Sequence, residues 1–200
     1  GEAGFEFGRT GGPGSTTSFF LRGQESKNMV VLIDGVRSQT DGIGALTLTN
    51  VPLSQIERVE ILRGNAGALY GEAAIGGVIS VTTRVGGGEP KVYGSALIGS
   101  RRTSELTAGF GGKLNDINFD LNGGSAETLG FSSMNAAKNS TVNPDRDSSR
   151  SQFVGASVNQ KIDSDLRLGL RANAKNSATD YDVDNNWSGL KTDTHQFQIK

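Results

Sequence analysis

The sequence predicts a mainly β protein: a small mixed α/β domain followed by antiparallel strands of a transmembrane β-barrel, incomplete in this chain. Three observations predict it. Only 34% of the 200 residues are hydrophobic while 29 are glycine, a combination that suits sheets apolar on one face only, because side chains alternate across a strand. From Lys91 onward, apolar and polar residues alternate with period 2 over long stretches. No run of 18 apolar residues occurs, so a membrane-spanning structure here must be a closed barrel, since lipid tolerates no unpaired backbone groups.

Composition removes several function classes. Twenty basic residues against 21 acidic ones give a net charge of −1, which leaves no basic stripe to collect phosphates, and a nucleic-acid partner is not expected. There is no cysteine, so disulfides, thiolate metal sites and cysteine nucleophiles are excluded. The single histidine, His195, makes multi-histidine metal sites and conventional triads hard to build. Residues 11–17 are glycine-rich like a phosphate loop but lack the lysine that would reach the phosphates. Glu57, Glu60 and Glu72 form no evident acid/base pair, and the chain is not expected to be an enzyme.

Residues 1–85 read as one small domain. The opening GEAGFEFGRTGGPGSTT has little periodicity and reads as a flexible turn, with order beginning at Ser18. Residues 18–23 form a short strand ended by Gly23, and 29–33 form a continuously apolar strand expected to be buried on both faces. Asp34-Gly35 makes a turn. Residues 50–57 read as a helix start, with Asn50 as N-cap and Pro52 at an early position. Residues 56–62 are a β-branched, charged strand, 65–70 a short helical turn closed by Gly71, and 75–83 a last strand.

Residues 86–200 read as six barrel strands. Leu166, Leu168, Leu170, Ala172 and Ala174 alternate with Arg167, Arg171, Asn173 and Lys175. Ile117, Phe119 and Leu121 alternate with Asn118, Asp120 and Asn122; Val154, Ala156 and Val158 alternate with Ser157, Asn159 and Lys161. Leu106, Ala108 and Phe110 continue the pattern, as do Val92, Ala96 and Ile98, and a last strand carries His195, Phe197 and Ile199. Turns at 100–103, 115–116 and 163–164 are short, whereas 128–150 and 180–194 read as longer loops. Barrels of this type have short periplasmic turns and long external loops, which places 128–150 and 180–194 outside the cell. Six strands do not close a barrel, so the chain is expected to be part of a longer protein.

The segments TSFFLRG, VVLIDGVR, LSQIERVEILRG and ALYGEAAIGGVISVTTR, in this order and spacing, resemble the plug domain of TonB-dependent receptors over residues 10–84. The family commonly has proline after the arginine-glycine pair, where this chain has Asn65. The resemblance implies a bacterial outer-membrane location, with the end of a plug at 1–85 and the first barrel strands at 86–200. It implies uptake of a scarce ligand, an iron–siderophore complex or cobalamin, driven by a TonB-type energy-coupling protein of the inner membrane, with outer-membrane lipid around the barrel and no covalent chemistry.

Candidate residues follow from the two readings together. The loop 38–45 is expected at the plug apex facing the ligand, with Arg37, Gln39, Thr40 and Asp41 polar enough to contact it. Arg58, Glu60 and Arg63 lie in a strand expected to bury cleanly and so need partners; the resemblance puts those partners partly on the barrel wall. Asp145, Asp147, Asp180, Asp182 and Asp184 alternate in external loops, as calcium ligands can, and the resemblance extends to cobalamin transporters whose loops bind calcium. The EF-hand pattern fails, with Asn185 at the sixth position and Lys191 at the twelfth. The alternative function is a surface-exposed β-sheet binding or adhesion protein without transport.

Overall fold

The computed structural model describes residues 4–9, 11–12, 14–15, 17–21, 23–25, 28–38, 51, 53–64, 67–71, 74–132, 145–183 and 186–199. The chain divides into two compact units, one made of Gly1–Thr10 with Thr16–Arg84 and one of Gly11–Ser15 with Val85–Lys200.

In the first unit the strands are β1 (Phe5–Arg9), β2 (Thr17–Leu21), β3 (Gln24–Glu25), β4 (Met29–Ile33), β5 (Val36–Arg37), β6 (Ile56–Arg63) and β7 (Gly77–Thr83), with one helical turn, α1 (Gly67–Tyr70). β1, β2 and β3 form an antiparallel sheet in that order. A second sheet runs β5-β4-β7-β6, with β4 and β7 parallel and the outer pairs antiparallel. β4 is buried on both faces, as its unbroken apolar run predicts: Met29, Val31 and Ile33 join Leu21, Val51, Ile79 and Val81 on one side, and Val30 packs with Ala74 and Val78 on the other. Each such side chain contributes about 1.5–3 kcal/mol by leaving water.

The hairpin from β4 to β5 is an Asp34-Gly35 turn with φ of 51° and 83°, the positive values that a type I′ turn needs and that this residue pair supplies cheaply. Asp34 also closes the sheet from above. Its N–H donates to the Val81 carbonyl at 2.9 Å, and its carboxylate accepts from the Thr83 N–H at 2.8 Å and the Thr83 hydroxyl at 2.7 Å. Gly77 takes φ of 143°, and a Cβ there would strike the Leu62 carbonyl and the Leu21 side chain.

Three expectations differ here. Order begins at Phe5 rather than Ser18, because the short alternation of FEFGR gains a partner in β2, with Phe7 opposite Phe19. A 3-10 turn at Leu53–Gln55 replaces the helix start, and β6 begins at once at Ile56; Asn50 and Pro52 lie outside the described residues. β6 does not bury cleanly: as an edge strand it leaves six of its eight residues exposed.

The second unit is one antiparallel sheet of six strands in sequence order: β8 (Lys91–Gly99), β9 (Thr103–Leu114), β10 (Ile117–Thr128), β11 (Ser149–Lys161), β12 (Arg167–Val183) and β13 (Asn186–Ile199). Register places Val92, Phe110, Leu121, Ala156, Ala172 and Phe197 in one cross-sheet row and Lys91, Gly111, Asp120, Ser157, Arg171 and Gln198 in the next. The two faces are thus apolar and polar without a break across the strands. Twelve residues span about 40 Å along a strand, or about 28 Å of height at a 45° tilt.

The loop expected at 180–194 is not a loop. β12 runs on to Val183 and β13 starts at Asn186, with Asp180 opposite Gly189 and Asp182 opposite Trp187. Aspartate, asparagine and glycine are poor strand formers, but pairing to a neighbouring strand overrides that preference. By contrast β10 ends at Thr128 and β11 begins at Ser149, so a long connection does join them.

The turn between β8 and β9 is closed by a bond from the Thr103 N–H to the Ser100 carbonyl at 3.0 Å. Its central residues, Arg101 and Arg102, both take positive φ, 56° and 52°. For residues with a Cβ and no local polar group this conformation costs about 1–2 kcal/mol each. At the opposite edge of the sheet, the comparable position is taken by Asn115 at φ 52°, a residue that tolerates it.

Candidate functional site

The apolar face of the six-stranded sheet is the exposed one. Ile98 is 90% exposed, Val92 77% and Leu114 62%, and Leu106, Leu121, Val154, Leu168 and Leu170 are all exposed as well. On the polar face, Asp120 and Ser157 are 5% exposed and Thr107 is buried too. A water-soluble fold arranges the two faces the other way round, and a continuous exposed apolar band of this size marks a contact surface. A lipid-facing wall with a polar lumen has this polarity.

The polar face is a hydrogen-bonded surface. The Tyr93 hydroxyl donates to Asp120 Oδ2 at 2.7 Å, and Asn122 Nδ2 donates to Asp120 Oδ1 at 2.5 Å. Hydroxyl pairs join neighbouring strands: Ser95 with Thr107 at 2.7 Å, Thr103 with Thr128 at 2.9 Å, and Ser149 with Thr179 at 3.2 Å. The last two pairs share one cross-sheet row at the edge that carries the long connection. The segment Gly11–Ser15 lies against that row. A Cβ on Gly14, whose φ is +87°, would fall on the Ser149 and Thr179 hydroxyls, and one on Gly12 would touch the buried Asp147 at 3.7 Å.

The alternation showed which residues face the polar side, but not that Tyr93 meets Asp120 or that Ser149 meets Thr179. Those pairings depend on register across turns, and the sequence signal for them lay in the turn lengths. Nor did the glycine-rich opening reveal that Gly11–Ser15 belongs with this sheet.

The predicted site residues are scattered. Arg37 ends β5 and is exposed, whereas Gln39, Thr40 and Asp41 lie outside the described residues. Arg58 and Glu60, two apart on β6 and so on one face, pair with each other at 3.3 Å with side chains 63% and 55% exposed. Arg63 closes the same strand, also exposed. Of the acidic residues, Asp145 is exposed, Asp147 is buried, and Asp180 accepts a hydrogen bond from the Ser148 hydroxyl at 2.5 Å. Asp180 and Asp182 stand in a strand rather than a loop, and Asp184 lies outside the described residues. Among the described residues, no three acidic or histidine side chains are grouped to hold a metal ion. His195 takes the register position opposite Ala174.

The geometry defines a class first: a small mixed domain joined to the wall of an outer-membrane-type barrel. Comparison with known proteins makes that specific. Residues 1–78 match the TonB-dependent Receptor Plug Domain. The chain is 31% identical over 196 residues to the vitamin B12 transporter BtuB of Vibrio vulnificus, covering 96% of this chain and 30% of the relative. It is 30% identical over 185 residues to BtuB of Photobacterium profundum, covering 86% and 28%. Among solved structures, the pyoverdine outer membrane receptor FpvA of Pseudomonas aeruginosa, bound to pyoverdine, superposes with a TM-score of 0.71 at 16% identity, over 92% of this chain and 25% of that one. The chain belongs to the TonB-dependent receptors, a family of transporters of the bacterial outer membrane and not of enzymes. It spans under a third of the length of these relatives.

Proposed function

We propose that the protein carrying this chain takes up a scarce ligand across the outer membrane, driven by a TonB-type energy-coupling protein, and that the ligand is cobalamin, with an iron–siderophore complex as second candidate. One observation carries the transport reading: a plug-type segment is followed, in the same chain, by a sheet whose exposed face is apolar and whose polar face is hydrogen-bonded. An adhesive surface sheet would have no use for that inverted polarity. Cobalamin is preferred because both relatives at 30–31% identity bear that name over most of this chain, whereas the pyoverdine receptor shares only the fold.

In this reading residues 1–85 are the end of the plug and 86–200 the first strands of the wall. No group here acts on a covalent bond. Binding falls to the plug apex, loop 38–45 with Arg37, Gln39, Thr40 and Asp41, and the coupling protein remodels the plug to open a path along the polar face. Arg58, Glu60 and Arg63 supply charges by which the plug is held to the wall until that pull.

The test uses the full-length receptor in cells lacking their own cobalamin transporter. Labelled cyanocobalamin should accumulate only when the coupling protein is present, and deleting 38–45 should abolish saturable binding while the barrel still assembles. Accumulation of a ferric siderophore with no cobalamin binding would move the ligand to the second candidate. Uptake of neither, with surface binding intact, would reject transport.

A further inference from the structure

We propose that Tyr93 and Phe153 set the clearance of the ligand path, their rings laid flat on the positioning residues Gly109 and Gly124 so that a bulky ligand can pass along the polar face. The inference rests on the transport reading above. Tyr93 is the clearer case. Register puts it on the polar face of β8, directly opposite Gly109 of β9, yet its hydroxyl donates to Asp120 Oδ2 on β10 at 2.7 Å. Strands lie about 4.8 Å apart, so the link crosses about 10 Å of sheet. Only a ring lying along the sheet can make it. Two glycines of β9 form the bed. A Cβ on Gly109 would fall on the Tyr93 ring and hydroxyl, and one on Gly111 would come within 2.6 Å of Asp120 Oδ2. Asn122 donates to the other oxygen of Asp120, a residue only 5% exposed, so the acceptor is itself held in place.

Phe153 repeats the arrangement without a hydrogen bond. Phe110 and Phe119 belong to the apolar face, with ring centroids 5.4 Å apart. Phe153 instead shares a row of the polar face with Thr107 and Lys175. Its neighbour in register is Gly124 of β10. A Cβ there would fall 2.8 Å from Phe153 Cε1 and 3.0 Å from Cζ. This ring too is spread over the strand beside it.

Glycine inside a strand weakens it and marks a place where something approaches the backbone closely. Here the approaching groups are the two rings. A ring flat on a strand rises by about 3.5–4 Å, one van der Waals contact. Standing upright, it projects by the whole length of its side chain. A single methyl group under either ring removes the flat position and leaves the upright one. A rigid macrocyclic ligand such as cobalamin cannot bend around such a projection, so the two glycines decide how large a ligand the path admits.

The experiment measures saturable surface binding and the initial rate of coupled uptake of labelled cyanocobalamin, in cells lacking their own transporter and carrying the full-length receptor. Gly109→Ala should keep binding and lose uptake about tenfold. Gly109→Ala/Tyr93→Ala, which removes the lifted ring, should recover most of that loss. A merely structural role predicts no recovery, because the double variant lacks the Tyr93 link as well as the glycine. A double variant no faster than Gly109→Ala therefore overturns the proposal, as does a Gly109→Ala receptor as fast as wild type. Gly124→Ala, with and without Phe153→Ala, puts the same question at the second ring, and decides it if Gly109→Ala fails to reach the outer membrane. A wild-type receptor that accumulates no cobalamin fails at the transport reading instead, and takes this inference with it.

Discussion

The four-stranded sheet buries both faces of its central strands, whereas the six-stranded sheet alternates and leaves its apolar half exposed. In the first, Met29, Val31, Ile79 and Val81 are all at or below 2% exposure. In the second, large apolar side chains such as Val92, Leu106, Leu121 and Val154 are more than half exposed, and it is Asp120, Ser157 and Thr179 that are buried. Period-2 patterning is silent about which face meets water. The difference shows that the two sheets were selected against different solvents, the first against water and the second against hydrocarbon on its outer face.

A matched pair of charge insertions gives the largest test of that contrast. Val81→Asp puts a carboxyl among Leu21, Val31 and Ile79 with no partner, and should cost about 4 kcal/mol or more. Leu168→Arg puts a cation on the exposed apolar face and should cost about 2–4 kcal/mol when the full receptor is unfolded by urea from bilayers. In a detergent-free aqueous setting an exposed leucine replaced by arginine would cost nothing measurable. A Leu168→Arg receptor that assembles at normal abundance and unfolds at the wild-type urea concentration would therefore break the comparison, by showing that this face is not in lipid.

A smaller effect is expected at the Asp34 clasp of the first sheet. Asp34→Ala removes both acceptors of Thr83, whose N–H and hydroxyl are then left without them at a residue only 1% exposed. The loss should be about 1–3 kcal/mol. Asp34→Asn, which keeps one acceptor oxygen and the turn preference, should recover part of it. Unfolding monitored separately for the two sheets should show the change in the first sheet only.

Much of this fold was legible because alternation is a local signal. β4 and the apolar faces of all six wall strands could be read from their own residues, and the four plug segments carried the family. What escaped depended on partners far away in the chain. β1 is only FEFGR until β2 lies beside it. The stretch DYDVDNNWSGLKTDT contains the residues of a loop and becomes a long hairpin because each side finds the other in register. The site was less legible still: the hydroxyl row of Thr103, Thr128, Ser149 and Thr179 comes from four strands, and no window of sequence contains it.

The smallest expected effect lies on β6, the strand where the first sheet ceases to resemble a water-soluble core. Six of its eight residues are exposed, and Arg58 and Glu60 pair on one face with both side chains more than half exposed. Taken as an ordinary surface pair, a double-mutant cycle of Arg58→Ala and Glu60→Ala should give a coupling of about 0.2–1 kcal/mol in the stability of the folded receptor. The plug-holding role asks more of these charges than stability. Reversing the pair, Arg58→Glu with Glu60→Arg, keeps the attraction within β6 but inverts its pattern toward anything opposite. If the strand meets complementary charge on the wall, the swap should leave the unfolding midpoint within experimental error while changing the rate of coupled uptake severalfold. If uptake is also unchanged, β6 is a solvated edge, and the forces holding the plug must be sought elsewhere.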